Sequence, residues 1–200
     1  MPAEKIFLNR LFVDTDRYRP LKDRLVLSVG RFTERKGFRY LMQAASILKD
    51  EPVHFVVVGF GPLDVGALAY EMDVEEKVTI FHKLNQEQLR LLYQKADIYC
   101  LPSITTDEEG TEGIPVVLME AMACGLPVVS TRCGAVEELV EEILVPERDP
   151  AALADGIRQI IGSDELADRY GKRNREIVME KFSEDNIRLF MSNILSMLNP

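Results

Sequence analysis

Tryptophan is absent from this 200-residue chain, and histidine is nearly so, with only His54 and His82. Cysteine is scarce too: Cys100, Cys124 and Cys133 are an odd number without CxxC spacing. That usage excludes a disulfide framework and reads as free thiols in a reducing compartment. Two histidines without neighbouring cysteines leave no donor set for a zinc site. Positive charge is also short, with 24 lysines and arginines against 33 acids and a net charge of −9. A nucleic-acid surface or a polybasic membrane patch needs the opposite surplus, so neither partner is expected. No stretch reaches the roughly 18 consecutive apolar residues of a membrane span, and the opening MPAEKIFLNR lacks an apolar core of signal-peptide length. A cytoplasmic location follows as the expectation, peripheral contact with the cytosolic membrane face included.

What is present is globular. Apolar residues make up 46% and charged residues 28%, and a chain of this length buries a core without staples. Residues 25–30 and 53–59 are short β-branched runs ending in glycine, the pattern of parallel strands buried on both faces. The runs 78–81, 98–101, 128–130 and 143–145 continue the series. Helical spacing predicts helices over 38–49, 86–95 and 115–124, a start at Pro62, and a helical turn over 137–142. Parallel neighbours require crossover helices, so the alternation predicts an α/β, Rossmann-like doubly wound parallel sheet. From Asp149 the pattern turns purely helical, with Asp149, Ser163 and Ser183 as candidate caps. The last helix, over 183–200, is strongly amphipathic, and self-association through it is expected.

In such sheets ligands bind beyond the carboxyl ends of the strands. The loop after the first strand, GRFTERKG, gathers Arg31, Arg35 and Lys36, whose charges suit a diphosphate. It is neither a Walker loop nor GxGxxG. The loop after the second strand, Gly59-Phe-Gly-Pro62, allows close backbone approach. Glu112 and Glu120 lie eight residues apart in EGIPVVLMEAMACGLP. At a helical rise of 1.5 Å that spacing separates them by about 12 Å, too far to share one reaction centre as an acid/base pair. They suit instead two hydroxylated groups at opposite ends of an extended ligand, with a helix N-terminus between them as an anion site. Glu120 stands among Val117, Leu118, Met119, Ala121 and Met122, so it is expected to be embedded and to need a partner.

Arg31 and Lys36 in GRFTERKG, then GFGP, then the Glu112-x7-Glu120 block together resemble the group-one, retaining glycosyltransferases of GT-B architecture. The similarity runs from about Asp14 to Phe182 and covers the family's C-terminal, donor-binding half. The resemblance implies a division into a linker at 1–20, a nucleotide-sugar-binding domain at 21–182 and the C-terminal helix at 183–200, with an acceptor domain outside this chain. It implies an NDP-sugar ligand, UDP- or GDP-linked, as substrate, with no cofactor and no metal. Arg31 and Lys36 match the basic pair on the donor diphosphate, and Glu112 the first family glutamate, which faces hydroxyls of the transferred sugar; these three form the expected catalytic set. The backbone of Gly113, Ile114, Pro115 and Val116 matches the lining of the sugar–phosphate turn, Gly59 the close-approach glycine, and Glu120 the ribose ligand. His82, Lys83 and Leu84 match the segment packing against the base, and the family usually has glycine near His82. The family's glycine-containing loop before the last strand is shortened between Glu142 and Ile143, near the expected ligand edge. Two alternatives stay open. One is a sugar-nucleotide epimerase, which does not usually carry the EGIPVVLMEAMACG block. The other is a degenerate, non-catalytic nucleotide-binding or interaction module; a receiver-type sheet would need clustered acids where the first strand ends in Gly30-Arg31.

Overall fold

The computed structural model describes residues 23–183 and, beyond them, 185, 186, 188, 191, 192 and 194. The expected linker at 1–20 and most of the helix at 183–200 lie outside the described residues. Six strands, β1 (Arg24–Val29), β2 (Val53–Val58), β3 (Val78–Phe81), β4 (Ile98–Leu101), β5 (Val128–Thr131) and β6 (Ile143–Val145), form one sheet in the order β3-β2-β1-β4-β5-β6. Every pairing is parallel. The reversal of strand order between β1 and β4 is the switch point of a doubly wound sheet, where a crevice opens beyond the strand ends.

Side chains along each strand alternate between two cores, as the pleat requires. Phe55, Val57, Ile98, Cys100 and Val129 enter the layer of α1 (Phe38–Ile47), α2 (Val65–Glu71) and α5 (Pro150–Ile161). Val56, Val58, Tyr99, Leu101 and Val128 enter the layer of α3 (Gln86–Lys95), α4 (Val116–Ala123) and the second half of α6 (Asp164–Phe182). Burial on both faces is why the strands read as continuous apolar runs.

Helix starts follow side-chain chemistry, and here three expectations are corrected. The second crossover helix begins at Val65, not at Pro62, because Asp64 caps it by accepting from Ala67 N at 2.9 Å. The turn expected over 137–142 is a 3-10 turn over Gly134–Glu138, set earlier by Gly134 at φ 58°. The shortened stretch at Glu141 and Glu142 enters β6 at its N-terminal end, so it lies at the sheet edge opposite the switch-point crevice. Asp149 and Ser163 cap α5 and α6 as their positions suggested.

Candidate functional site

The loops after β1 and β4 meet at the switch point, and a buried phenylalanine shapes the first of them. Phe32 is fully buried, edge-on to Phe38 at 5.3 Å and to His82 at 5.8 Å. Its neighbours on either side are thereby sorted. Arg31 stays exposed, and its guanidinium makes no hydrogen bond or ion pair among the described residues. Lys36 is turned inward at the end of a 3-10 turn over Glu34–Lys36. Two glycines allow the loops this close: a Cβ on Gly59 would lie 1.8 Å from the Gly30 carbonyl, and one on Gly37 equally close to that of Pro102. Gly59 is therefore required by backbone packing before any ligand is considered.

Lys36 Nζ reaches across the crevice to Glu112 Oε2 at 2.7 Å, and Ser103 Oγ donates to the same oxygen at 2.8 Å. The pair is nearly dry, with side-chain exposures of 11% and 7%. Both bonds fall on Oε2. Oε1 has no partner among the described residues. The Glu112 backbone is fixed as well: its carbonyl accepts from Ala135 N at 3.0 Å, beneath Gly134, where a Cβ would clash with it. Arg35, the third cation of the loop, faces the protein and not the crevice, bonding the Thr111 carbonyl at 3.0 Å.

Beyond Glu112, Gly113, Ile114 and Val116 are exposed while Pro115 is buried. Helix α4 follows without a side-chain cap, so its first N–H groups are left to the crevice. The expected helical spacing between the two glutamates does not hold, because Glu112 lies in extended loop and only the last part of the interval is helical. Nor is Glu120 embedded. Leu118, Ala121 and Met122 point to the core, and Glu120, about 200° around the helix from Leu118, is exposed. Its partner is the Tyr93 hydroxyl, donating to Oε2 at 2.9 Å. Burial and the nearby Tyr99 and Glu120 push the Tyr93 phenol far up, so it remains a donor. The Tyr93 ring rests against Tyr99, whose hydroxyl donates to the Val29 carbonyl at the end of β1. His82 and Lys83 are exposed after β3, and Leu84 is half-buried.

The structure thus joins Lys36 to Glu112, sets Arg31 in a cleft with Pro62, Leu63, Thr106, Glu108 and Glu109, leaves Gly113, Ile114 and Val116 exposed, and anchors Glu120 from α3. Ser103 and Tyr93 escaped the sequence reading. Ser103 carried one usable signal: it follows a parallel strand at its carboxyl end.

A single six-stranded parallel sheet with helices packed on both faces, and a charged crevice at its switch point, defines a Rossmann-like domain. Residues 14–177 match the family model of glycosyl transferases group 1, and the chain belongs to that family. It is 36% identical over 213 residues to a putative colanic acid biosynthesis glycosyltransferase of Escherichia coli K12, across 98% of this chain and 52% of that protein. Among solved structures it is similar to sucrose-phosphate synthase from Thermosynechococcus elongatus, with 29% identity, TM-score 0.78, and coverage of 92% of this chain and 47% of that one. An Anabaena protein, HepE, solved in complex with UDP, shares the fold at 21% identity and TM-score 0.76, over 88% of this chain and 49% of that chain. The chain spans about half the length of the curated relatives it matches. Its architecture is that of one Rossmann-like half of a GT-B glycosyltransferase.

Proposed function

We propose that this chain is the donor-binding half of a retaining hexosyltransferase, holding a UDP- or GDP-linked sugar while an N-terminal domain supplies the acceptor. The observation that carries this reading is the Lys36–Glu112–Ser103 cluster in the switch-point crevice. A lysine and a glutamate buried together at a ligand edge are costly unless used, and here the glutamate keeps one oxygen free. Glu112 Oε1 takes hydroxyls of the transferred sugar. Lys36, held in place by Oε2, and the exposed Arg31 face the diphosphate, with the uncapped N–H groups of α4 beside them. As the glycosidic bond breaks, charge grows on the departing diphosphate, and these fixed donors stabilise it without a metal. Glu120, steadied by Tyr93, takes the ribose hydroxyls, and His82, Lys83 and Leu84 border the base. Without the acceptor domain, the chain binds donor but transfers little sugar.

Calorimetry with UDP and GDP tests this. Arg31→Ala is the cleaner variant, since Arg31 supports no internal bond; Lys36→Ala also breaks the buried pair. Binding of one nucleotide, weakened about tenfold in Arg31→Ala by loss of a charge-assisted contact, is the expected result. Glu120→Ala weakens bare nucleotide, while Glu112→Ala reduces the extra affinity conferred by the sugar. A folded chain that binds neither UDP nor GDP refutes the proposal.

A further inference from the structure

Two residues just after β6 reach back into the site from a loop that no role above has used. Glu147 is half-buried and takes two hydrogen bonds from Thr105, the backbone N–H to Oε2 and the hydroxyl to Oε1, each at 2.8 Å. Burial alone would raise the Glu147 carboxyl; the Thr105 bonds, with Cys133 and Arg148 nearby, outweigh it and hold it below the ordinary carboxylate range. Arg148 Nη2 donates to the Thr105 carbonyl, and Nη1 lies 3.2 Å from Glu147 Oε2. All three polar groups of an exposed threonine are therefore held by two consecutive residues of another loop. Arg148 does this from φ 60°, a left-handed conformation that favours glycine. A glycine would adopt it freely and could not reach Thr105.

The hold passes to Glu112 through a short, closed segment. Thr106 and Gly110 exchange backbone bonds of 3.1 and 2.9 Å, closing the loop after β4 into a hairpin. At its root the Thr105 hydroxyl lies 3.3 Å from that of Thr111. Cys133 Sγ packs 3.8 and 3.6 Å from those two hydroxyls. Thr111 immediately precedes Glu112. The hairpin thus has its first leg fixed by Glu147 and Arg148 and its second by Arg35 and Ala135.

We propose that Glu147 and Arg148 are positioning residues: by fixing Thr105 they set where Glu112 presents its free oxygen to the sugar of a bound donor. The inference rests on the donor-binding reading above. It separates sugar recognition from nucleotide recognition, because Glu120 and the base segment touch none of these bonds, and Arg31 meets the hairpin near its tip, beside Glu109, and not at Thr105.

Calorimetry on the full 200-residue chain, with UDP against UDP-glucose and GDP against GDP-mannose, measures the two contributions. Glu147→Ala and Arg148→Gly are expected to leave bare-nucleotide affinity within about twofold and to cut the gain from the sugar at least about fivefold. Glu147→Gln, which retains one acceptor for Thr105, falls between. Arg148→Gly relieves the backbone, so its melting temperature stays at the wild-type value or above, and a failure of Glu147→Ala to fold leaves this variant decisive. An unchanged sugar gain in Arg148→Gly overturns the proposal, as does an equal loss of nucleotide and sugar affinity. Failure of the wild-type chain to bind either nucleotide removes the donor-binding reading itself, and is seen before any variant is made.

Discussion

The buried Lys36–Glu112 pair makes a sharp energetic prediction. At 2.7 Å, with an effective dielectric near 20, the attraction is roughly 6 kcal/mol, and desolvating the two ions consumes most of it. Breaking the pair from one side leaves a charge in a site already closed to water. Lys36→Met is therefore expected to destabilise the fold by about 3 kcal/mol, and Glu112→Leu by a similar amount. The double variant removes both charges and strands only the Ser103 hydroxyl, so it should cost about 1–3 kcal/mol in total rather than the sum of the singles. Urea unfolding of the four proteins closes a double-mutant cycle with an expected coupling of about 3–5 kcal/mol. Single losses that add to within about 0.5 kcal/mol would mean that water solvates both groups and that the pair is not buried.

Two further outcomes are expected. Tyr93→Phe removes the hydroxyl that holds Glu120 Oε2 while keeping the ring against Tyr99; nucleotide affinity should fall about threefold to tenfold by calorimetry, with the sugar contribution unchanged. Glu142 has both carboxylate oxygens buried with no side-chain partner among the described residues, and burial raises it above the ordinary 4.5. A raised carboxylate binds protons more tightly in the folded state, so its stabilising effect is complete below 4.5 and is lost as pH rises through the folded value. Glu142→Gln should accordingly raise the melting temperature at pH 7 and change it little at pH 4, and the reverse pattern would contradict the burial.

Strands were legible wherever both faces are buried, because Ile98–Leu101 is then apolar throughout and Val53–Val58 is interrupted only by the half-buried His54. Helix α2 was harder to place, since seven residues containing Gly66 give little periodicity and its true start depends on Asp64. The crevice itself could be read from the strand ends and the two glutamates. Glu120 was misjudged because chain neighbours are not spatial neighbours on a helix: Leu118 and Met122 face the core, and Glu120 does not. Ser103, Tyr93 and Glu147 act through bonds spanning 9, 27 and 42 positions. No local pattern encodes such partners.

The central claim is that a nucleoside diphosphate sits between the loops after β1 and β4. Backbone amide NMR shifts of the chain titrated with UDP and with GDP test it most directly. The account predicts that one nucleotide produces saturable shifts concentrated at residues 30–37 and 113–117, with further shifts at 82–84, and that Arg31→Ala weakens them. Shifts confined to other surfaces, or none with either nucleotide, would contradict it.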